Sequence, residues 1–453
     1  MPGRPCPDNS ANNWWERSPH SSNSNNFCAV NTDGTANNNN AGNTNGLAPF
    51  GCASQATPGP SSESESGGGI EREMQGDATS GGRAPNTRRH AVEARTHRLS
   101  QDGQTARFED VFSYEHLYEA GVACCKGVRW KASTQLFESR LVSQVSDAHS
   151  ALMDGTWRSS GFTEFDIMER GKHRHIQACR ISERMVQKCL VRNCLRPLVL
   201  PRLIYDSHAT IPGHGVEFAL ARLREHLRWH YARHGTDGYV VVMDYHDYFG
   251  SIDHERLKAM YARLPIDPRC LALTSYFVDM FEGPRGLGLG SEISQISAVF
   301  YASAIDHLAK DALGVRCYAR YMDDSYAILP TRTEAEAFLA AVRAKSSELG
   351  LTLNDKVTKV VPLRQGFRYL KKRVSLTETG RVVMRPQRDN VVRERRRVGR
   401  NVERLAAGEM SPEAERQSFE SWRSHCLTLD ANRTVRSMEA HRERLLRKAG
   451  LHA

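Results

Sequence analysis

The sequence predicts an α+β fold, with helices and a sheet grouped in separate stretches of chain, and three observations lead to it. Residues 108–155 space apolar side chains at helical intervals, through Leu117, Ala120, Val122 and Ala123 and then Leu136, Leu141 and Val145. Two short β-branched and aromatic runs, Tyr239–Met243 and residues 315–321, each lead into aspartate. Residues 386–453 read as charged, basic helix.

Composition divides the 453 residues into three parts. Residues 1–104 are rich in Asn, Ser, Gly and Thr and lack sustained apolar periodicity. They bury too little to offset the entropy of ordering, so a disordered segment is expected there. Thirteen Asn fall within the first 46 residues, a low-complexity bias. In residues 105–385 the two strands are followed by a helix at 334–349, a strand at 359–363 and a hairpin near 377–381 with Gly380 at its turn. The basic helical part closes the chain.

No run nears the roughly 18 apolar residues of a spanning helix. The N-terminus carries neither an export nor an organelle pattern, so the expected setting is cytoplasmic, with no membrane partner. Lys and Arg outnumber Asp and Glu by 62 to 52, and the whole surplus lies beyond residue 100. That balance suits a polyanionic partner without naming one. The 11 Cys form no CxxC pair and no Cys/His array at zinc spacing. Buried reduced thiols are expected, and no metal site built from sulfur.

Asp244 ends the first strand-like run, and Asp323 and Asp324 end the second. Strand ends of one sheet can bring carboxylates to one point. Such oxygen ligands suit Mg2+, and two ions about 3.5–4 Å apart stabilise both the attacking and the leaving oxygen of an in-line phosphoryl displacement. An Asp at a strand end can equally cap a turn, and spacing by itself leaves both readings open.

Tyr321-Met322-Asp323-Asp324 resembles the YMDD box of reverse transcriptases. The segment from Met243 through Asp244, Phe249 and Ile252 to His254 is similar to their D-x-x-x-[FY]-F-x-x-I-x-H motif. Between the two lies Gly286-Leu287-Gly288-Leu289-Gly290-Ser291-Glu292-Ile293-Ser294-Gln295, where that family has its template and nucleotide loop. Residues 169–176 and 181–187 resemble the fingers motifs, and residues 353–356 and 366–370 the last palm motifs. The ordered matches span residues 105–450.

The resemblance implies a right-hand polymerase fold. Fingers and palm would occupy residues 105–385, the palm being an antiparallel sheet that carries the catalytic Asp residues, and a helical thumb residues 386–453. The implied enzyme joins dNTPs to a DNA or RNA primer along an RNA template. Asp244 and Asp323 would bind two Mg2+ ions, for which Mn2+ can substitute, with Asp324 close by and the Tyr245 carbonyl completing one shell. Lys356 would protonate departing pyrophosphate, and Phe249 would lie under the sugar and exclude a 2′-hydroxyl. Lys172 and Arg174 would grip the triphosphate, the Arg through bidentate donors and the Lys as a point charge. Gly290 and Gln295 would line the nucleotide and template loop. Arg184 in the fingers and Arg395, Arg396, Arg397 and Arg400 in the thumb would meet nucleic-acid backbone. The plainer alternatives are a core aromatic for Phe249, a solvated strand for Lys172 and Arg174, a surface lysine for Lys356 and a solvated helix for residues 393–400. His246 and Asp247 are left out, because strand alternation turns at least one of them away from Asp244.

The central loop narrows the subfamily. Most bacterial members carry Q-G-x-x-x-S-P, whereas residues 289–295 follow [VIL]-G-x-x-x-S-Q, similar to the reverse transcriptases of diversity-generating retroelements. Those enzymes copy a template-repeat RNA, misincorporate opposite adenine and work with a small basic accessory protein. Gln295 beside the templating base is a candidate for loosened pairing selectivity. The leading Gly-Leu-Gly-Leu-Gly departs from the Gly-Leu-Pro of many members. The N-terminus agrees with the assignment: residues 12–19, 31–35 and 46–50 resemble a variable target segment in which adenine-rich codons read as Asn, as at residues 37–40. On this reading residues 1–55 are a translated template repeat and the true start lies nearer Met74; an ordinary Asn-rich tail is the alternative. Other bacterial reverse transcriptases, of phage-defence or group II intron type, and a catalytically dead RNA-binding relative are the competing readings.

Overall fold

The computed structural model describes residues 106–169 and 172–451, with backbone alone at 169 and 172–174. It also describes the backbone of three short strands, β1 (Trp14–Glu16), β2 (Asn26–Val30) and β3 (Ala36–Asn40), which pair antiparallel in chain order. Otherwise the expected disorder over residues 1–104 and the repeat reading of residues 1–55 lie outside the described residues.

Four helices come first: α1 (Phe108–Val111), α2 (Tyr114–Cys125), α3 (Ala132–Ser139) and α4 (Leu141–Met153). Leu117, Ala120, Ala123, Leu141 and Val145 face the core, as their spacing predicts, whereas Leu136 is exposed. Ser113 caps α2 by accepting from the His116 amide. A hairpin follows, β4 (Thr163–Glu169) with β5 (Lys172–Ala178), Glu169 opposite Lys172. Next comes α5 (Ile181–Leu190), which runs on through a wider π-helical turn to Val199. It buries Met185, Val186, Cys189 and Leu190 against the first helices.

Beyond α6 (Val216–His234) lies the central sheet: β6 (Tyr239–Met243), β7 (Tyr318–Tyr321), β8 (Asp324–Leu329) and β9 (Lys359–Pro362), antiparallel in the order β7-β8-β6-β9. Between β6 and β7 the chain makes α7 (His254–Ala262), α8 (Pro268–Asp279), α9 (Glu292–Tyr301) and α10 (Ser303–His307); α11 (Arg332–Glu348) links β8 to β9. Val241, Met243, Tyr318 and Ala327 pack into one core with α9 and α11. Val240, Val242, Ala319 and Tyr326 pack into a second with α6. Covered on both faces, these strands read as unbroken apolar runs rather than as alternation.

The second core also holds a smaller sheet of β10 (Phe367–Tyr369), β11 (Lys372–Leu376) and β12 (Val382–Pro386). Three helices then close the chain, α12 (Arg388–Ala406), α13 (Pro412–Leu427) and α14 (Asn432–Lys448). They meet around Val398, Phe419 and Met438. All eight described cysteines are unpaired thiols, and all but Cys179 are buried. Among the described residues no helix is long and apolar enough to cross a membrane.

Two glycines predict opposite outcomes for one substitution. Gly380 turns β11 into β12 with φ +76°, and a Cβ there would come 2.4 Å from a Tyr231 ring carbon. Gly399 lies inside α12 with nothing near its would-be Cβ. In thermal and urea unfolding, Gly380→Ala should cost about 1–3 kcal/mol, whereas Gly399→Ala should stabilise by roughly 0.5–1 kcal/mol.

Candidate active site

Register brings the acidic residues together. Val242 pairs with Tyr326 and Met243 with Ser325, the last rung of the ladder, so Asp244 leaves the end of β6 beside Asp324 at the start of β8. Tyr321 pairs with Asp324, which leaves Met322 and Asp323 as a two-residue turn. Met322 has φ +57° and Asp323 does not share the positive sign, the pattern of a type II′ turn. Glycine is the usual residue at that first position, so Met322 holds a strained backbone.

The other side of Asp244 is fixed by the loop before β9. The Asn354 amide donates to the Asp244 carbonyl at 2.8 Å, and the Asn354 side chain donates to the Asp244 carboxylate at 3.2 Å. The Thr358 hydroxyl adds a 3.3 Å bond to the same carbonyl. His246 N–H donates to the Thr352 carbonyl at 2.9 Å, framing a bridge between Tyr245 and Leu353. By ladder alternation the Tyr245 carbonyl then points to the opposite side of its strand, where β8 lies. The Tyr245 ring itself is buried, its hydroxyl 3.2 Å from that of Ser346, and burial pushes its pKa up to about 12.

Beneath the turn is a buried ion pair. Arg320 is 1% exposed and Asp306 0%. Arg320 Nε and Nη2 donate to the two Asp306 carboxylate oxygens at 2.8 and 2.6 Å. Its Nη2 also reaches the Val299 carbonyl of α9 at 2.9 Å, and its Nη1 the Met322 carbonyl at 3.1 Å. The Tyr318 hydroxyl donates to Asp306 at 2.8 Å. Burial opposes the arginine's charge, but Asp306 outweighs it and its pKa is raised. Removing one partner from such a pair typically costs about 3–5 kcal/mol, because the other is left buried and uncompensated.

Burial, and then the negative charges of Asp323 and Asp244, push the Asp324 carboxyl from 3.8 up to about 7, with Lys371 pulling the other way. Lys371 stands with Leu370 at the β10–β11 turn, where φ is +60° and +45°. A crowded pair of carboxylates with a carbonyl aimed alongside is the donor set a hard divalent cation takes. Among the described residues no three Asp, Glu, His or Cys side chains gather closely enough to hold a metal by themselves. One or two carboxylates completed by substrate phosphates is the arrangement Mg2+ adopts in polymerase sites, so these residues fit it.

The remaining candidates fall at several places. Phe249 is half-buried, its carbonyl accepting from the Leu287 amide at 3.0 Å, which ties it to the glycine loop. Gly290 has φ +104° with open space at its would-be Cβ, and Ser291 caps α9, in whose first turns Gln295 stands half-buried. Ser291 also donates to Gln187 of α5 at 2.9 Å, and Glu292 pairs with the buried Lys188. Lys172 and Arg174 lie on β5, but their side chains are outside the described residues. Lys356 is exposed, two residues past Asn354. Arg184 is half-buried on α5, and Arg395, Arg396 and Arg400 are exposed on α12. Arg397 differs from the expectation for that run: it turns inward, 2.9 Å from Glu394 and 3.0 Å from the Ser418 carbonyl, and is committed to helix packing.

Arg320, Asp306, Thr358 and Lys371 were not among the sequence candidates. A charged residue within the apolar run leading to Tyr321 was the available signal for Arg320, since Arg is almost never fully buried unless paired. Asp306, Thr358 and Lys371 carry no local signal, because only the tertiary fold brings them to the turn.

Residues 162–372 match the family model described as reverse transcriptase (RNA-dependent DNA polymerase). No curated protein matches the chain. The matched span includes the β4–β5 hairpin, the glycine loop, all four strands of the central sheet and the turn between β10 and β11.

A carboxyl whose folded pKa lies above its unfolded one favours the folded state fully below about pH 4, and that contribution is lost as pH rises through about 7. In chelator, the melting temperature should therefore fall from about pH 5 to about pH 8, and Asp324→Asn should flatten that fall. Equal slopes for the two proteins would show that Asp324 does not titrate in this range.

Proposed function

Because the chain is an RNA-directed DNA polymerase, we propose that it makes cDNA by two-metal-ion nucleotidyl transfer, as the mutagenic reverse transcriptase of a diversity-generating retroelement. The observation that carries the chemistry is that Asp244, at the end of β6, and Asp323, in the turn before β8, both lie close enough to Asp324 to raise its pKa. Asp244, Asp323 and the Tyr245 carbonyl are the proposed ligands, with Asp324 alongside. Mg2+ bound there supplies the positive charge that lowers the pKa of the primer 3′-hydroxyl and neutralises the departing pyrophosphate.

The chain's own residues supply position and charge, which dominate phosphoryl transfers. Asn354 and Thr358 hold Asp244 in place. Phe249 forms the floor under the sugar, and Lys172 and Arg174 bind the triphosphate oxygens. Lys356 gives a proton to pyrophosphate as it leaves. Arg184 and the exposed Arg395, Arg396 and Arg400 bind phosphates of the template–primer, where counterion release adds affinity.

The retroelement assignment rests on Gln295 at the start of α9 and on the Asn-rich residues 1–46. A small basic accessory protein is the proposed partner. A phage-defence polymerase would share the same sheet without an associated repeat, and adjacent DNA holding a second, adenine-diverged copy of the codons for residues 12–50 separates the two.

Primer extension tests both levels. Asp244→Ala or Asp323→Ala should lower the rate by about a thousandfold or more, the several kcal/mol that a metal clamp contributes; retained activity would refute the site. On templates of defined sequence, errors should concentrate opposite adenine. Gln295→Ala should change that frequency by about tenfold, near 1.4 kcal/mol, and leave errors opposite other bases nearly constant.

A further inference from the structure

We propose that Arg320 is a positioning residue for nucleotide addition: anchored by Asp306, it selects the form of the Met322–Asp323 turn that presents Asp323 correctly. The proposal rests on the reading of Asp244, Asp323 and Asp324 as the metal site.

A two-residue hairpin turn with positive φ at its first position has two forms, types I′ and II′, related by a flip of the central peptide. In I′ the second residue also takes positive φ; in II′ it does not. The strands stay paired in both, so the pairing of Tyr321 with Asp324 does not choose between them. The flip reverses the Met322 carbonyl and changes the backbone of Asp323, and with it the direction of the Asp323 carboxylate. In this turn Met322 has φ +57°, Asp323 is not positive, and the Met322 carbonyl accepts from Arg320 Nη1 at 3.1 Å. That bond exists in one of the two forms only.

The guanidinium cannot swing away. Asp306 holds it at two atoms, and the Val299 carbonyl holds the third side at 2.9 Å. Its main chain is pinned as well: Arg320 N–H donates to the Asp206 carbonyl at 3.0 Å and its carbonyl accepts from His208 N–H at 3.0 Å. Val299 lies on α9, one turn beyond Gln295. The same side chain thus sets the carboxylate turn against the helix that carries the proposed template-facing residue.

A purely structural ion pair and a positioning one predict different results. Hydrophobic replacement of a whole buried pair usually preserves stability, whereas nothing apolar can hold the Met322 carbonyl. The double variant Arg320→Met/Asp306→Leu should keep a melting temperature near the parent's and the parent's KM for dNTP. Its kcat should fall by about 10- to 100-fold, as misplacement near 1 Å can cost, and its Mn2+ affinity, read calorimetrically with template–primer and no nucleotide, should weaken. Arg320→Lys keeps the charge beside Asp306 but loses the fork, and should restore part of kcat. Parental kcat and Mn2+ affinity in the double variant would overturn the proposal. If the double variant does not fold, Arg320→Lys decides: lowered kcat at parental stability supports it, and parental kcat overturns it. Asp323→Asn run in parallel keeps the readings apart, since activity there refutes the metal site itself, whereas an inactive Asp323→Asn beside a fully active double variant refutes only the role of Arg320.

Discussion

Asp244, Asp323 and Asp324 stand half-buried within electrostatic reach of one another at one end of the central sheet, and the architecture around them is arranged to keep them there. The antiparallel register of β6 on β8 does the bringing together: one residue of slip would turn Asp244 to the other face of the sheet. That register is enforced by two cores, because Val241 and Met243 are buried on one side and Val240 and Val242 on the other. Burial first, and then the charges of Asp323 and Asp244, raise the pKa of Asp324.

The remaining parts serve that corner from different directions. The loop at 354–358 grips the backbone and side chain of Asp244. Arg320 and Asp306 support the Met322 carbonyl from beneath the sheet. The hairpin of β10 and β11 brings Lys371 within electrostatic reach of Asp324. On the far side, α5 is joined to the start of α9 by Gln187 with Ser291 and by Lys188 with Glu292, which ties the glycine loop to α5.

Much of this was legible in the sequence because its signals are local. Apolar runs ending in Asp marked β6 and the β7–β8 hairpin, periodicity marked α2, α4 and α11, and Gly380 marked its turn. The motif at 353–356 pointed to the loop beside Asp244, though not to the hydrogen bond from Asn354 that gives it a purpose. What sequence reading missed depends on distant partners. Arg320 and Asp306 are 14 residues apart and meet only because α10 returns against β7. The inward turn of Arg397 follows from the packing of α13 on α12, which a run of arginines does not disclose. Leu136 obeys the helical period yet faces solvent, because an apolar spacing does not say which neighbour will cover it.

The central claim is that Asp244 and the Asp323–Asp324 turn share a divalent cation. Anomalous diffraction from crystals soaked in Mn2+ with template–primer and a non-reacting nucleotide reads it directly. The account predicts manganese bonded to carboxylate oxygens of both Asp244 and Asp323. Manganese absent from that corner, or bound by one strand alone while nucleotide is in place, would contradict it.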